Sequence, residues 1–172
     1  MNSPLIKLPV TTREGVFIAH YSETGLTGLD FPKLSKRIPS ARISGGNPSK
    51  PMAGQIRRWH RATTAALKSI LGGRAAKTFP PFDWSGKTKF QQAVWNEMLK
   101  LGPGETRSYG EIAEAIGKPK AVRAVGGACG ANPIPVLVPC HRILAANQKI
   151  GGFSGGLKWK MKLLAREGVG FI

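Results

Sequence analysis

The chain has 172 residues, 41% of them hydrophobic and 20% charged, enough to bury a core in one or two small domains. No apolar run is long enough to span a bilayer, and two cysteines exclude both a disulfide framework and a four-thiolate zinc site. The 26 Lys and Arg against 9 Asp and Glu give +17, spread as +9 (13 − 4) over residues 1–86 and +8 (13 − 5) over 87–172, a balance that favours a polyanion such as nucleic acid.

In chain order, Leu5-Ile6, Val16-Phe17-Ile18 and Leu26-Thr27-Gly28-Leu29 are short apolar pieces separated by turn residues. Glu14-Gly15 between the first two predicts a hairpin. Residues 32–54, rich in Pro, Ser, Gly, Lys and Arg, predict a long basic loop. A helix follows from about Gln55 to Leu71, with Ile56, Thr63, Leu67 and Ile70 near one face, and Gly72-Gly73 ends it. Phe79-Pro80-Pro81-Phe82 reads as an extended link, which puts a domain boundary near Gly86.

Thr88-Lys89-Phe90-Gln91 has the form of a capping box, and Phe90, Val94, Met98 and Leu101 then recur at helical spacing. Ser108 to Glu111 is a second capping box, opening a short helix that ends at Gly117. A turn through Lys118-Pro119 leads into a helix over Lys120–Cys129. Two short helices joined this way outline a helix-turn-helix, whose second helix meets a DNA groove. Asn132 to Arg142 is interrupted by prolines and carries an apolar run, which predicts a buried extended strand ending at Cys140. Gly151–Gly156 is expected to be a flexible loop. The last helix starts near Leu157, sets Met161 and Leu164 on one face, and ends at Gly168.

Cys140 is followed by His141 and Arg142. A thiol of ordinary pKa is only roughly 3% thiolate at pH 7, so a reactive one needs a base or a positive setting. Neighbouring side chains of an extended segment point apart, which disfavours direct contact between Cys140 and His141. By residue type alone, Cys140 suits a buried structural thiol as well as a nucleophile, and Cys129, inside a helix among Gly and Ala, suits a structural one.

Val138-Pro139-Cys140-His141-Arg142-Ile143 resembles the active-site signature of the O6-alkylguanine-DNA alkyltransferases. Phe90–Trp95, Ser108–Ala113, Ala121–Gly126, Asn132-Pro133, Phe153–Gly156 and Leu163–Gly168 are similar to that family in order and spacing, from about residue 88 to 170. Residues 1–86 resemble it only loosely. The resemblance implies that Cys140 attacks the alkyl carbon in line with the departing guanine O6. It implies His141 as base through a bridging water, Glu167 as the group orienting His141, and Tyr109 as donor to the guanine ring. Ser154, with Gly155 beside it, would hold the O6 oxygen, and carbonyls near Val138 and Cys140 would accept from the base's amino group. Asn132 would tie the helix-turn-helix to the segment bearing Cys140. Arg123 would fill the base stack after the lesion is flipped out, with Ser108, Tyr109, Lys120 and Ala121 also facing DNA.

Each residue has a plainer reading. Glu167 suits an exposed helix-end acid, Tyr109 core packing, Asn132 a helix cap, Ser154 a turn, and Arg123 a phosphate contact. Elements and resemblance together predict an α+β fold. A small α/β domain over 1–86 (short antiparallel sheet plus helix) would precede a mainly helical domain over 87–172 with the helix-turn-helix. The expected partner is double-stranded DNA bearing O6-alkylguanine, with O4-alkylthymine as a further candidate. No cofactor, metal or membrane is expected, and the protein is expected to be a cytoplasmic monomer. An alkylated-base sensor without chemistry and a helix-turn-helix protein that only binds DNA are the rival readings. The first lacks a reactive cysteine, and the second has no use for Pro-Cys-His-Arg or Glu167.

Overall fold

The computed structural model describes residues 5–33, 42–44 and 49–171. Two compact units appear: Met1–Lys68 with Ala76–Trp84, and Ser69–Ala75 with Ser85–Ile172.

The first unit is built on four antiparallel strands, β1 (Leu5–Thr12), β2 (Gly15–Tyr21), β3 (Leu26–Asp30) and β4 (Arg42–Ser44), in the order β3-β2-β1-β4. The expected hairpin is present: Thr12 pairs with Gly15, and Arg13-Glu14 form the turn. Gly15 sits at φ 113, a conformation open to glycine, and Thr12 Oγ1 bridges the turn by donating to the Gly15 carbonyl at 2.8 Å. Helix α1 (Lys50–Leu71) follows. It begins five residues before the expected start, because Ser49 bonds back to the first turn and Pro51 lies where no intrahelical N–H is required. The segment 32–54 is therefore not loop throughout, since β4 and the first turn of α1 fall within it. Its residues 34–41 and 45–48 lie outside the described residues. Ile56, Thr63, Leu67 and Ile70 are all buried, and Tyr21 Oη donates to Thr63 Oγ1 at 2.9 Å, tying helix to sheet.

At the end of α1 Gly73 is left-handed, and the Arg74 N–H returns to the Ser69 carbonyl, a helix-ending bond that such a glycine permits. Segment Ser69–Ala75 groups with the second unit, where Arg166 donates to the Leu71 carbonyl at 2.6 Å.

In the second unit α2 (Lys89–Met98) opens on the Thr88–Gln91 capping box, and α3 (Tyr109–Ala115) on the Ser108–Glu111 box, both with reciprocal bonds in place. Helix α4 (Val122–Gly130) follows α3 after a short turn and completes the helix-turn-helix; it starts two residues later than expected. Trp95 on α2 is fully buried and donates to the Ala128 carbonyl of α4 at 2.9 Å. Strands β5 (Arg107–Ser108) and β6 (Ile143–Leu144) pair in parallel. Helix α5 (Leu157–Arg166) closes the chain. Its buried positions are Lys160, Leu163 and Leu164, while Met161 is 44% exposed, so Met161 does not share the inward face with Leu164.

The strand expected within Asn132–Arg142 and ending at Cys140 is absent. The prolines at 133, 135 and 139 lack the donors a ladder needs, and the segment folds as successive turns instead. Val136 is fully buried at φ 75, a conformation that costs a β-branched residue about 1–3 kcal/mol. Cys140–Arg142 form one 3-10 turn.

Candidate active site

The parallel pairing of β5 with β6 brings the capped start of α3 beside the turn that carries Cys140, so Tyr109 and Cys140 approach from different parts of the chain. Between them lies a cavity of about 270 Å3 lined by Tyr109, Cys129, Cys140, Gly152, Phe153 and Ser154, with Gly126 and Gly130 of α4 at its edge. Glycine at those two positions leaves the wall without side chains, and an added Cβ at either would meet nothing within 4 Å.

Cys140 is 4% exposed. Asn132 organises its surroundings: Nδ2 donates to the Val138 carbonyl at 2.9 Å and to Cys140 Sγ at 3.1 Å, while Oδ1 accepts from the Ile134 N–H at 3.0 Å. The Cys140 N–H also reaches the Val138 carbonyl, closing an inverse γ-type turn over Pro139. Burial pushes the Cys140 thiol up to about 11, against the opposing effects of the Asn132 bond and the Lys160 charge. The resting thiol is therefore protonated at neutral pH, and a reaction through it requires a proton acceptor.

A titratable group follows Cys140 directly in the chain. His141 is fully buried, its Nε2 lies 3.0 Å from Glu167 Oε1, and its Nδ1 has no hydrogen-bond partner among the described residues. Burial lowers its pKa, opposed by the Glu167 carboxylate. Glu167, just past the end of α5, also accepts from Arg142 Nε at 3.0 Å and Nη2 at 2.8 Å, and from the Gly104 N–H at 3.3 Å. Burial alone would raise its pKa, but the bonds from His141 and Arg142 overcome this and hold it at about 2. Glu167 is thus a wholly buried carboxylate, ionised at neutral pH, with no exposed helix-end character.

Tyr109 is half-buried, and its pKa is raised first by burial and then by the neighbouring sulfurs, so it remains a donor at neutral pH. Lys160, fully buried, donates to the Ile143 carbonyl at 2.6 Å and to the Gly152 carbonyl at 3.1 Å, joining the strand after Cys140 to the loop that forms the cavity's far wall. Desolvation takes its pKa down to about 8.

Cys140, Tyr109 and Ser154 therefore share one cavity, with Asn132 bonded to Cys140 behind it. His141 and Glu167 form a bonded pair beside the same turn. Gly155 adjoins Ser154 without lining the cavity. Val138 is fully buried, and its carbonyl already accepts from Asn132 and Cys140. Cys129, expected to be only structural, lines the cavity as well as contacting Met98 Sδ at 3.8 Å. Arg123 stands exposed on the first turn of α4, beside Val122, which is 40% exposed, and Ala121; Lys120 precedes them, exposed. Ser108 spends its hydroxyl on the α3 cap. Two residues that sequence reasoning missed are Arg142 and Lys160. Arg142 was visible only as part of a motif, and Lys160 has no signal beyond its place on the inward stripe of α5. Among the described residues, no three His, Cys, Asp or Glu side chains gather as a metal site would require, and no helix is long and apolar enough to cross a membrane.

A helix-turn-helix whose second helix borders a cavity lined by buried cysteines sets a thiol pocket beside an element of the DNA-binding class. Residues 89–169 match the family model described as the 6-O-methylguanine DNA methyltransferase, DNA binding domain. The chain is 54% identical to the methylated-DNA–protein-cysteine methyltransferase of Methanosarcina acetivorans over 148 residues, 85% of this chain and 87% of that one. It is 56% identical over 146 residues to a probable methylated-DNA–protein-cysteine methyltransferase of Acanthamoeba polyphaga mimivirus, 85% of this chain and 92% of that one. The fold is similar to that of Mycobacterium tuberculosis OGT in complex with DNA, with a TM-score of 0.68 and 34% identity over 92% of this chain and 90% of that one. The chain belongs to the methylated-DNA–protein-cysteine methyltransferase family.

Proposed function

We propose that the protein repairs DNA by direct reversal, moving an alkyl group from O6 of guanine to Cys140 Sγ in a single, irreversible turnover. The observation that carries this reading is a buried thiol lining a cavity, with His141 beside it in the same turn hydrogen-bonded to the buried Glu167 carboxylate. An atom inside the base stack is out of reach of such a thiol, so the lesion must be flipped into the cavity at a cost of a few kcal/mol. Arg123, exposed where α4 begins, takes the vacated place in the stack. The small residues of α4 let its backbone approach the minor groove, whose degenerate code accounts for selection by lesion chemistry and not by sequence.

In the cavity, the bond from Sγ to the alkyl carbon forms as the bond from that carbon to O6 breaks, and the electron pair leaves with the guanine. The thiol proton passes through one water to His141 Nδ1, and Glu167 stabilises the imidazolium that results. Tyr109 gives a proton or hydrogen bond to the guanine ring, which improves the leaving group. The backbone at Ser154-Gly155 holds O6. With the Val138 carbonyl occupied, recognition of the exocyclic amine falls to other carbonyls of the Cys140 turn. The thioether is stable to hydrolysis, so each molecule acts once. Titrating a fixed amount of protein with excess duplex carrying O6-methylguanine tests this: repair is expected to stop at one lesion per protein, and continued turnover would overturn the proposal.

A further inference from the structure

The chemistry of the active site leaves the basic residues of helix α1 unexplained. Helix α1 buries Ile56, Thr63, Leu67 and Ile70 on one side. At 100° per residue, Lys50, Arg57, Arg61 and Lys68 fall on the opposite side as a single stripe about 27 Å long, with Arg58 on its flank. The helix contains no Asp or Glu. The acidic residues of 1–86 are Glu14, Glu23, Asp30 and Asp83, all outside it. Among the described residues, none of the three arginines has an ion-pair partner.

The arginines line a cleft of about 460 Å3 with Leu8 of β1, Gly54 and His60. Arg57 and Arg61, one turn apart, repel each other and weaken the helix by a few tenths of a kcal/mol. Gly54, in the helix interior, costs about 1 kcal/mol more and leaves the cleft without a side chain at that point; a Cβ there would meet only Arg57 Nη2, at 3.8 Å. Both features oppose local stability, and neither is offset by an ion pair among the described residues. An external anion offsets them. Guanidinium forks bind phosphate oxygens in pairs, and a row of them suits a polyanion better than a single ion.

We propose that the outward face of α1 binds the phosphate backbone of duplex DNA through Arg57, Arg58 and Arg61, a contact independent of base sequence and separate from the helix-turn-helix. This rests on the reading that DNA carries the substrate.

The test is the salt dependence of binding to undamaged duplex, comparing wild type with Arg57→Gln/Arg58→Gln/Arg61→Gln and with the corresponding lysine triple. Each lost phosphate contact lowers the slope of log K against log salt by about 0.9, so the glutamine triple is expected to lose about 2 to 3. That makes its affinity change between about 50 and 200 mM salt roughly 16- to 64-fold smaller than that of wild type. The lysine triple, which keeps the charge, is expected to retain most of the slope. A glutamine triple that unfolds cooperatively at the wild-type midpoint and keeps the wild-type slope would overturn the inference. Should that triple fail to fold, the three single glutamine variants decide, each expected to lower the slope by about one. Wild-type protein without salt-dependent affinity for duplex would instead overturn the reading of DNA as the partner.

Discussion

Replacing Glu167 by Gln keeps the shape of the side chain and removes its charge, with consequences for stability and for chemistry that are both calculable. The carboxylate is wholly buried and pairs with His141 and with two nitrogens of Arg142. In the variant the 4% exposed Arg142 guanidinium is left without a counter-charge, a situation that costs about 3–5 kcal/mol in buried pairs. The pKa gives an independent figure. Held at about 2, against about 4.3 in an unfolded chain, the ionised group contributes about 3 kcal/mol. A depressed carboxylate stabilises fully above its unfolded pKa, and its contribution is lost as pH falls through the folded value. The gap between wild type and Glu167→Gln is therefore constant near neutrality and closes between about pH 4.5 and 2. Urea unfolding at about pH 7, 5 and 3 reads it directly. Adding Arg142→Met to Glu167→Gln completes a double-mutant cycle, with a coupling of about 1–3 kcal/mol expected because the second change removes the orphaned charge. A difference below about 0.5 kcal/mol at neutral pH, the range of ordinary surface substitutions, would show that Glu167 does not hold Arg142 as a buried ion pair, as would a gap indifferent to acid.

Asn132→Ala removes bonds to Val138, Cys140 and Ile134, and is expected to destabilise by about 2–3 kcal/mol and raise the thiol pKa above its present value of about 11; a pH titration of thiolate absorbance checks the direction. Lys160→Met deletes the tie between Ile143 and Gly152 and the cation that favours the Cys140 thiolate. Alkyl transfer is expected to slow at least about tenfold, with faster amide exchange in the Gly151–Gly156 loop. Arg123→Ala is expected to slow repair of a paired lesion by about tenfold or more, and to have a smaller effect when the lesion is mispaired and cheaper to flip, measured as single-turnover rates on the two duplexes.

Local rules account for what the sequence displays plainly. Both capping boxes form because each satisfies two free amides with side chains three residues apart, a signal carried wholly by neighbouring residues. The inward face of α1 follows from its 3.6-residue period. Asn132–Arg142 illustrates the opposite case. Its apolar composition resembles a strand, but its prolines deny it a ladder, and its true shape depends on one buried amide at Asn132. Lys160 and Met161 show the same limit: a lysine lies inside because two carbonyls await its ammonium, and a methionine lies outside because its position falls off the buried stripe. Glu167 read alone suits a helix-end acid. Its role depends on Arg142 and His141, 25 and 26 residues away in sequence, and only the fold brings them together.

Whether Cys140 accepts the alkyl group is read from intact mass. Protein mixed with duplex containing O6-methylguanine is expected to gain the mass of one methylene, mapped by peptide fragmentation to Cys140 and absent from Cys140→Ala. Unchanged mass with tight binding to the damaged duplex retained would contradict alkyl transfer to Cys140 and leave a base-flipping sensor in its place.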